Sequence, residues 1–340
     1  MGERMLSRLS FFKLPALQPF TLQPCDYRYY WVCFIIACIY SSILISLPVD
    51  SSILDRVNYI NYAENSDVIF ARFYSGGLLS LLFNEPVWLL VNMGLNTFLT
   101  PESVVRCIIL ISSFSVSYYI VRVNQKAFLF LLLLLIFPQV AGKFIVHLRQ
   151  GFAIAIFIIA LMTKKDYLRF LLVISTPFIH SSFFILVLFA VIGSILQNSR
   201  LAEDVKSFAM AFISLTVGSS LIIIGSFLGA RQATGEAITI VTSGFGLVFW
   251  LSILLLYYAA GKAFVQKYIF ALACIIFYLA TYFVSAYTAR VFESAFILTV
   301  IVALNLSPMR RLFAYGMFMF LLVLGYYTRL GKPLLGFGVL

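Results

Sequence analysis

Hydrophobicity in this chain comes in long blocks. Apolar runs fall near residues 29–47, 86–99, 103–121, 127–140, 150–163, 168–196, 207–229, 243–260, 268–287, 291–306 and 312–327, separated by short polar or basic stretches. About 20 apolar residues make a helix long enough to cross the hydrocarbon core of a bilayer. Hydrophobic residues make up 62% of the 340 and charged residues only 11%, where soluble domains run near 45–50% and 25%. That excess has no water-soluble core to fill, and it excludes a cytosolic catalytic module. The sequence therefore predicts an all-α polytopic integral membrane protein with about 11–12 transmembrane helices, forming a single integral domain over 1–340. The run 168–196 is too long for one span. Pro177 and the stretch Ile179-His180-Ser181-Ser182 divide it, so two short helices meeting at a polar elbow are expected.

Charge placement sets the topology. Lys and Arg number 24 against 13 Asp and Glu, a net of +11, yet the cations punctuate apolar runs rather than cluster on one face. That is the positive-inside pattern of a membrane chain, with any remainder meeting lipid phosphate or a phosphorylated substrate, and it does not point to nucleic acid. Arg4, Arg8, Lys13 and Arg28 precede the first run with no small-residue cleavage site after it, so 1–28 reads as a cytoplasmic segment before a retained anchor. Arg122 with Lys126, Lys164 to Arg169, Arg200 with Lys206, Lys262 with Lys267, and Arg310 with Arg311 all fit the same side. Polar groups on the opposite, external side are then Lys143 to Gln150, His180, Arg231 to Glu236, and Arg290 with Glu293. The longest polar stretch, 48–72, reads as an external loop able to cover a cavity. An external 50–72 and a cytoplasmic Arg122 require an even number of crossings between them, so a re-entrant or doubled helix is expected within 73–99. Cys25, Cys33, Cys38, Cys107 and Cys274 lack paired spacing, which indicates neither a disulfide framework nor a zinc knuckle.

The chain has no GxxxxGK[ST], GxGxxG, HExxH, DxD or CxxC, so soluble-type nucleotide and metal sites have no support and no metal or cofactor is expected. What remains is a set of arginines, two histidines and a few carboxylates at helix ends. Each costs about 2.5–3.5 kcal/mol at membrane depth, which makes it a functional candidate, although an Arg near a helix end is commonly a snorkelling anchor. Lys143 to Gly151 departs most from that bland role, with four polar side chains just ahead of an apolar span on the external side. Helical spacing would put His147 and Gln150 on one face and turn Arg149 about 200° away. Arg290 and Glu293 at i and i+3 can pair, for structure or for chemistry. His180 in the elbow is either a satisfied core histidine or a cavity group. Arg231, Arg72 and Glu85 follow; Glu85 before Pro86 suits a helix N-terminus without any catalytic role. Tyr278 and Tyr282 share a face, as packing aromatics commonly do.

Five stretches in order carry a family resemblance: Asp55-Arg56-Val57-Asn58-Tyr59-Ile60-Asn61-Tyr62; Asn84-Glu85-Pro86-Val87-Trp88; His147-Leu148-Arg149-Gln150-Gly151; Ile179-His180-Ser181-Ser182-Phe183; and Arg290-Val291-Phe292-Glu293. With them the chain resembles the Wzy-type O-antigen and exopolysaccharide repeat-unit polymerases, particularly the EpsG-like branch. The resemblance implies a GT-C-like membrane glycosyltransferase of the bacterial inner membrane, with its active site facing the periplasm. It also implies undecaprenyl-pyrophosphate-linked oligosaccharides as substrates and a partner membrane protein that sets chain length. On that reading Arg149 and Arg290, helped by Arg231 or Arg72, stabilise the leaving pyrophosphate. Glu293 or His180 accepts the acceptor hydroxyl's proton. Asp55, Tyr59, His147, Gln150 and Glu85 contact substrate. The rival readings are an O-antigen ligase, which shares donor and architecture, and a transporter or flippase of lipid-linked oligosaccharide.

Overall fold

A computed structural model describes residues 13–227, 244–283 and 287–339. Among them the chain is helical throughout, with one isolated antiparallel bridge, Ile53 to Gly338, in place of any sheet. The α-helices in chain order are α1 Tyr27–Ile45, α2 Arg56–Ser75, α3 Leu78–Phe83, α4 Pro86–Asn96, α5 Pro101–Arg122, α6 Phe128–Leu135, α7 Pro138–Ile145 and α8 Leu148–Met162. They continue as α9 Asp166–Ser175, α10 Phe183–Asn198, α11 Glu203–Phe227, α12 Phe245–Tyr258, α13 Lys262–Lys267, α14 Ile269–Ala280, α15 Tyr287–Val302 and α16 Pro308–Tyr327.

Local sequence explains many of the boundaries. Pro opens α4, α5, α7 and α16, where its missing N–H is an orphan anyway and its fixed φ is already helical. Asp26 caps α1 by accepting from the Arg28 N–H, and Thr100 caps α5 by accepting from Ser103. Among the described residues three helices, α1, α5 and α16, are long and apolar enough to cross a membrane. The segment ending in α6 and the following α7 make a fourth if taken together, bent by 59° at Pro138. The apolar helices α8, α10, α12 and α14 are shorter.

Three expectations about breaks meet the structure directly. The run 168–196 does divide: α9 ends at Ser175, a 3-10 turn covers Thr176–Phe178, and α10 begins at Phe183. Residues 73–99 hold two short helices, α3 and α4, with Gly77 at φ +96° turning the chain into the first. The stretch 48–72, by contrast, is not one loop. From residue 56 onward it is helix α2, whose buried positions are Arg56, Tyr59, Ala63 and Ser66. Those residues recur every three or four positions, so one face is covered. The periodicity is hidden in the sequence because Arg and Ser stand where apolar residues usually mark the core side.

The chain packs as two compact units, each discontinuous in sequence. One takes in 1–21, 165–170 and 182–316. Its helix α14 lies against α10, α11, α12 and α15, and the Tyr257 hydroxyl donates to the Thr299 carbonyl at 2.8 Å. Trp250 meets Phe292 edge-to-face, with ring centroids 4.5 Å apart. The other unit takes in 22–164, 171–181 and 317–340. In it α5 is the central element, packed on α1, α2 and α8, while α2 also packs on α4. Burial of Val104, Val105, Ile108, Ile109 and Val116 makes α5 its core. The C-terminal segment returns to the start of α2, where the Leu54 N–H donates to the Phe337 carbonyl at 3.0 Å and the Val339 N–H to the Ser52 carbonyl at 3.1 Å.

Candidate functional site

Within the second unit, polar side chains from α2, α4, α8 and the elbow after α9 converge. Glu85 is the centre. It immediately precedes Pro86, and its backbone is left-handed at φ +60°, a conformation costly for a side chain with a Cβ. Its carboxylate does not cap α4. Instead Oε2 receives Arg149 Nη1 at 2.5 Å, and Oε1 accepts the Ser181 backbone N–H at 3.1 Å. The Glu85 side chain is 7% exposed and that of Arg149 28%. Glu85 thus ties the first turn of α8 to the elbow, two elements 32 residues apart in sequence.

Aromatic groups from α2 and α4 form one wall. The Arg149 guanidinium lies 5.2 Å from the centroid of the Tyr62 ring, and its Nη1 also reaches the Tyr62 hydroxyl at 3.4 Å. Tyr59 and Tyr62 both stand edge-on to Trp88, with centroids 5.9 and 6.2 Å away, and Tyr59 is within hydrogen-bonding reach of Arg149. On the far side of the α8 start, buried Lys143 donates through Nζ to Gln150 Oε1 at 2.9 Å. Arg149 and Gln150 therefore address different neighbours, as their spacing on α8 requires.

His147 departs from the helical-wheel expectation. It is the N-cap of α8, with φ −99° and ψ 60°, so its backbone is not helical, and the residue is exposed. The close approach of α7 and α8 depends on Gly151. A Cβ there would lie 2.9 Å from the carbonyl carbon of Lys143 and strike its oxygen, which explains a glycine at this point of an apolar helix.

His180 sits in the elbow, half-buried. Burial pushes its imidazole down to about 4; Glu85 opposes that shift, while Arg149, Lys143 and His147 add to it. The ring is neutral at pH 7 and can accept a proton or a hydrogen bond. Arg149 and Lys143 supply two cations against the single Glu85 carboxylate, so the centre favours an anion. Several of its donors are buried without a hydrogen-bond partner, among them Arg149 Nε and Trp88 Nε1.

Glu85, Arg149, Gln150, His180 and Tyr59 are the expected site residues gathered here. Asp55 is exposed, with its carboxylate held by Asn58 at 3.3 Å. Arg72 is exposed ten residues beyond Tyr62, about 15 Å further along α2. Arg290 and Glu293 belong to the first unit, one turn apart on α15, the first exposed and the second half-exposed. Arg231 lies outside the described residues. Tyr62 and the Ser181 N–H take part without having been given a role, and Lys143, one of the four polar side chains marked ahead of α8, takes part through Gln150. Lys143 carried a signal, as a lone cation seven residues before Gln150 in an otherwise apolar helix. Among the described residues no group of three or more His, Cys, Asp or Glu is placed to hold a metal ion.

Fold and site together define an all-helical protein, with helices able to span a bilayer, built around a buried Arg–Glu pair. No known protein family, curated protein or solved structure matches the chain.

Proposed function

We propose that this chain polymerises undecaprenyl-pyrophosphate-linked oligosaccharide repeat units at the periplasmic face of a bacterial inner membrane, as a metal-independent GT-C-like glycosyltransferase with 11–12 membrane passes. One observation carries the reading. Four of the five stretches behind the family resemblance supply residues to a single centre: Tyr59 and Tyr62, Glu85 and Trp88, Arg149 and Gln150, and His180 with Ser181. Residues up to 122 positions apart in sequence, Tyr59 to Ser181, come together in this centre, which supports the reading.

In the proposed reaction an acceptor sugar hydroxyl attacks the anomeric carbon of the donor glycan. The carbon–oxygen bond to pyrophosphate breaks, and its electron pair leaves with undecaprenyl pyrophosphate. Arg149 faces that developing charge with a planar fork of donors. Glu85 holds the fork in place from behind. His180, neutral at pH 7, takes the hydroxyl proton. Of the aromatic wall, Tyr62 is partly exposed and would be the ring to meet a sugar, while Tyr59 and Trp88 are buried. A chain-length-setting membrane protein completes the partner list.

The test is a gel ladder of polymer lengths from purified protein in detergent with chelator, supplied with its undecaprenyl-pyrophosphate-linked repeat unit. A ladder that disappears in Arg149→Ala and shortens in His180→Gln supports the reading. A folded protein that moves lipid-linked units across a reconstituted bilayer without joining them, or joins one unit to a lipid A core, overturns it.

A further inference from the structure

Arg56 opens α2 and is 0% exposed. Its Nε, Nη1 and Nη2 are all buried, and none has a hydrogen-bond partner. Among the described residues no carboxylate pairs with it: Asp55 is exposed and turned to Asn58, and the first turn of α2 contains no acidic residue. A second cation acts on it instead. Arg106 of α5 lies within electrostatic reach and repels it, while donating through Nη1 to the Ile45 carbonyl. Burial lowers the Arg56 guanidinium to about 10, which leaves it charged at neutral pH.

A guanidinium taken out of water without a partner is among the most costly arrangements a fold can hold. The Arg149 centre has solved that problem with Glu85, whereas Arg56 and Arg106 have two positive charges and no acid. The first turn of α2 adds N–H dipoles of the same sign, which no side chain caps. What fits is an oxyanion with several acceptor atoms and more than one negative charge, matched to a planar fork of donors.

We propose that Arg56, with Arg106 behind it, is a binding site for a phosphoryl group, separate from the Arg149–Glu85 pair. Tyr59, three residues on along the same buried face, lies within reach of both arginines and links the two places. The inference does not rest on polymerisation, because any activity on phosphorylated lipid or soluble phosphate is served by such a site. The chain just ahead of Arg56 is held by the C-terminal segment through two backbone hydrogen bonds, Leu54 N–H to the Phe337 carbonyl and Val339 N–H to the Ser52 carbonyl.

The experiment follows the thermal midpoint of the full chain in detergent, in low-chloride buffer, as inorganic phosphate or pyrophosphate is added against an ionic-strength-matched chloride control. The wild type is expected to show a saturable rise that chloride does not reproduce. Arg56→Met is expected to weaken the response at least tenfold while matching or exceeding the wild-type midpoint without anion, since it removes an uncompensated charge. Arg56→Lys retains part of the response, and Arg310→Gln, an exposed charge on the other unit, retains all of it. Nanodiscs separate the sources. A higher midpoint in phosphatidylglycerol than in phosphatidylcholine, with no further gain from soluble phosphate, assigns the group to a lipid headgroup; a gain from soluble phosphate in phosphatidylcholine assigns it to a free anion. An undiminished response in Arg56→Met, or no response to phosphate, pyrophosphate or phosphatidylglycerol, overturns the proposal. A saturable response in a protein that makes no ladder leaves this site standing and removes the polymerase reading.

Discussion

Replacing Glu85 by Gln removes one charge from the centre of the second unit while keeping the size of the side chain and an oxygen for the Ser181 N–H. Arg149 is then left with a guanidinium that has lost its carboxylate. Breaking a buried pair from one side costs about 3–5 kcal/mol. Glu85 is enclosed, but the Arg149 side chain keeps 28% of its exposure. Water therefore screens part of the stranded charge, and about 2–3 kcal/mol is expected for Glu85→Gln. Glu85→Ala also orphans the Ser181 N–H, which adds about 1 kcal/mol. Arg149→Met strands the more enclosed partner and should cost at least as much as Glu85→Gln. The double variant Glu85→Gln with Arg149→Met strands neither, so it should recover most of the loss, with a coupling of about 2 kcal/mol between the two sites. Unfolding of purified protein in mixed detergent and dodecyl sulfate micelles measures this through the fluorescence of Trp88, which packs on the same wall. Single-variant costs that add within about 0.5 kcal/mol would show that the pair is not energetically coupled, and the account of Glu85 as the tie between α8 and the elbow would fail.

Two further outcomes follow from the same region. Gly151→Ala drives a methyl group into the Lys143 backbone carbonyl and should cost about 1–3 kcal/mol in the same unfolding assay, whereas Gly94→Ala, with open space around it, should be neutral or stabilising by up to about 1 kcal/mol. His180 titrates near 6.5 in the unfolded chain and near 4 in the fold, so the unfolded state takes up the proton first. Its contribution to stability is then complete above about pH 6.5 and lost as pH falls through 4, and a pH series of unfolding midpoints should show an acid limb that His180→Asn flattens.

Much of the helix layout is legible because the signals are local. Pro86, Pro101, Pro138 and Pro308 each mark a helix start, and Pro177 with the polar run after it marks the elbow. The failure at α2 has an equally local cause. A face whose covered positions are Arg56, Tyr59, Ala63 and Ser66 does not read as apolar, so the segment passes for a loop although its period is helical.

The site was legible as a set of groups and illegible as a set of pairs. An ionisable side chain in so apolar a chain must find a partner, and the sequence shows which residues carry that demand. It does not show the partner, since Arg149 meets Glu85 across 64 positions and no spacing rule reaches that far. Glu85 was discounted because a carboxylate before proline has a sufficient role as a helix N-terminal charge. That reasoning assumes the side chain points along the helix axis. The left-handed backbone at φ +60° turns it away from the α4 N–H groups and toward Arg149 and Ser181. His147 is the N-cap of α8, with non-helical backbone, so the helical wheel does not fix its side chain relative to Gln150, although it lies near enough to add to the shift of His180. Arg56 extends the argument to its limit. The same demand for a partner holds there, yet the fold brings it a second cation instead of an acid. A counter-charge from outside the chain is what the proposed phosphoryl group supplies, at a guanidinium that water does not reach.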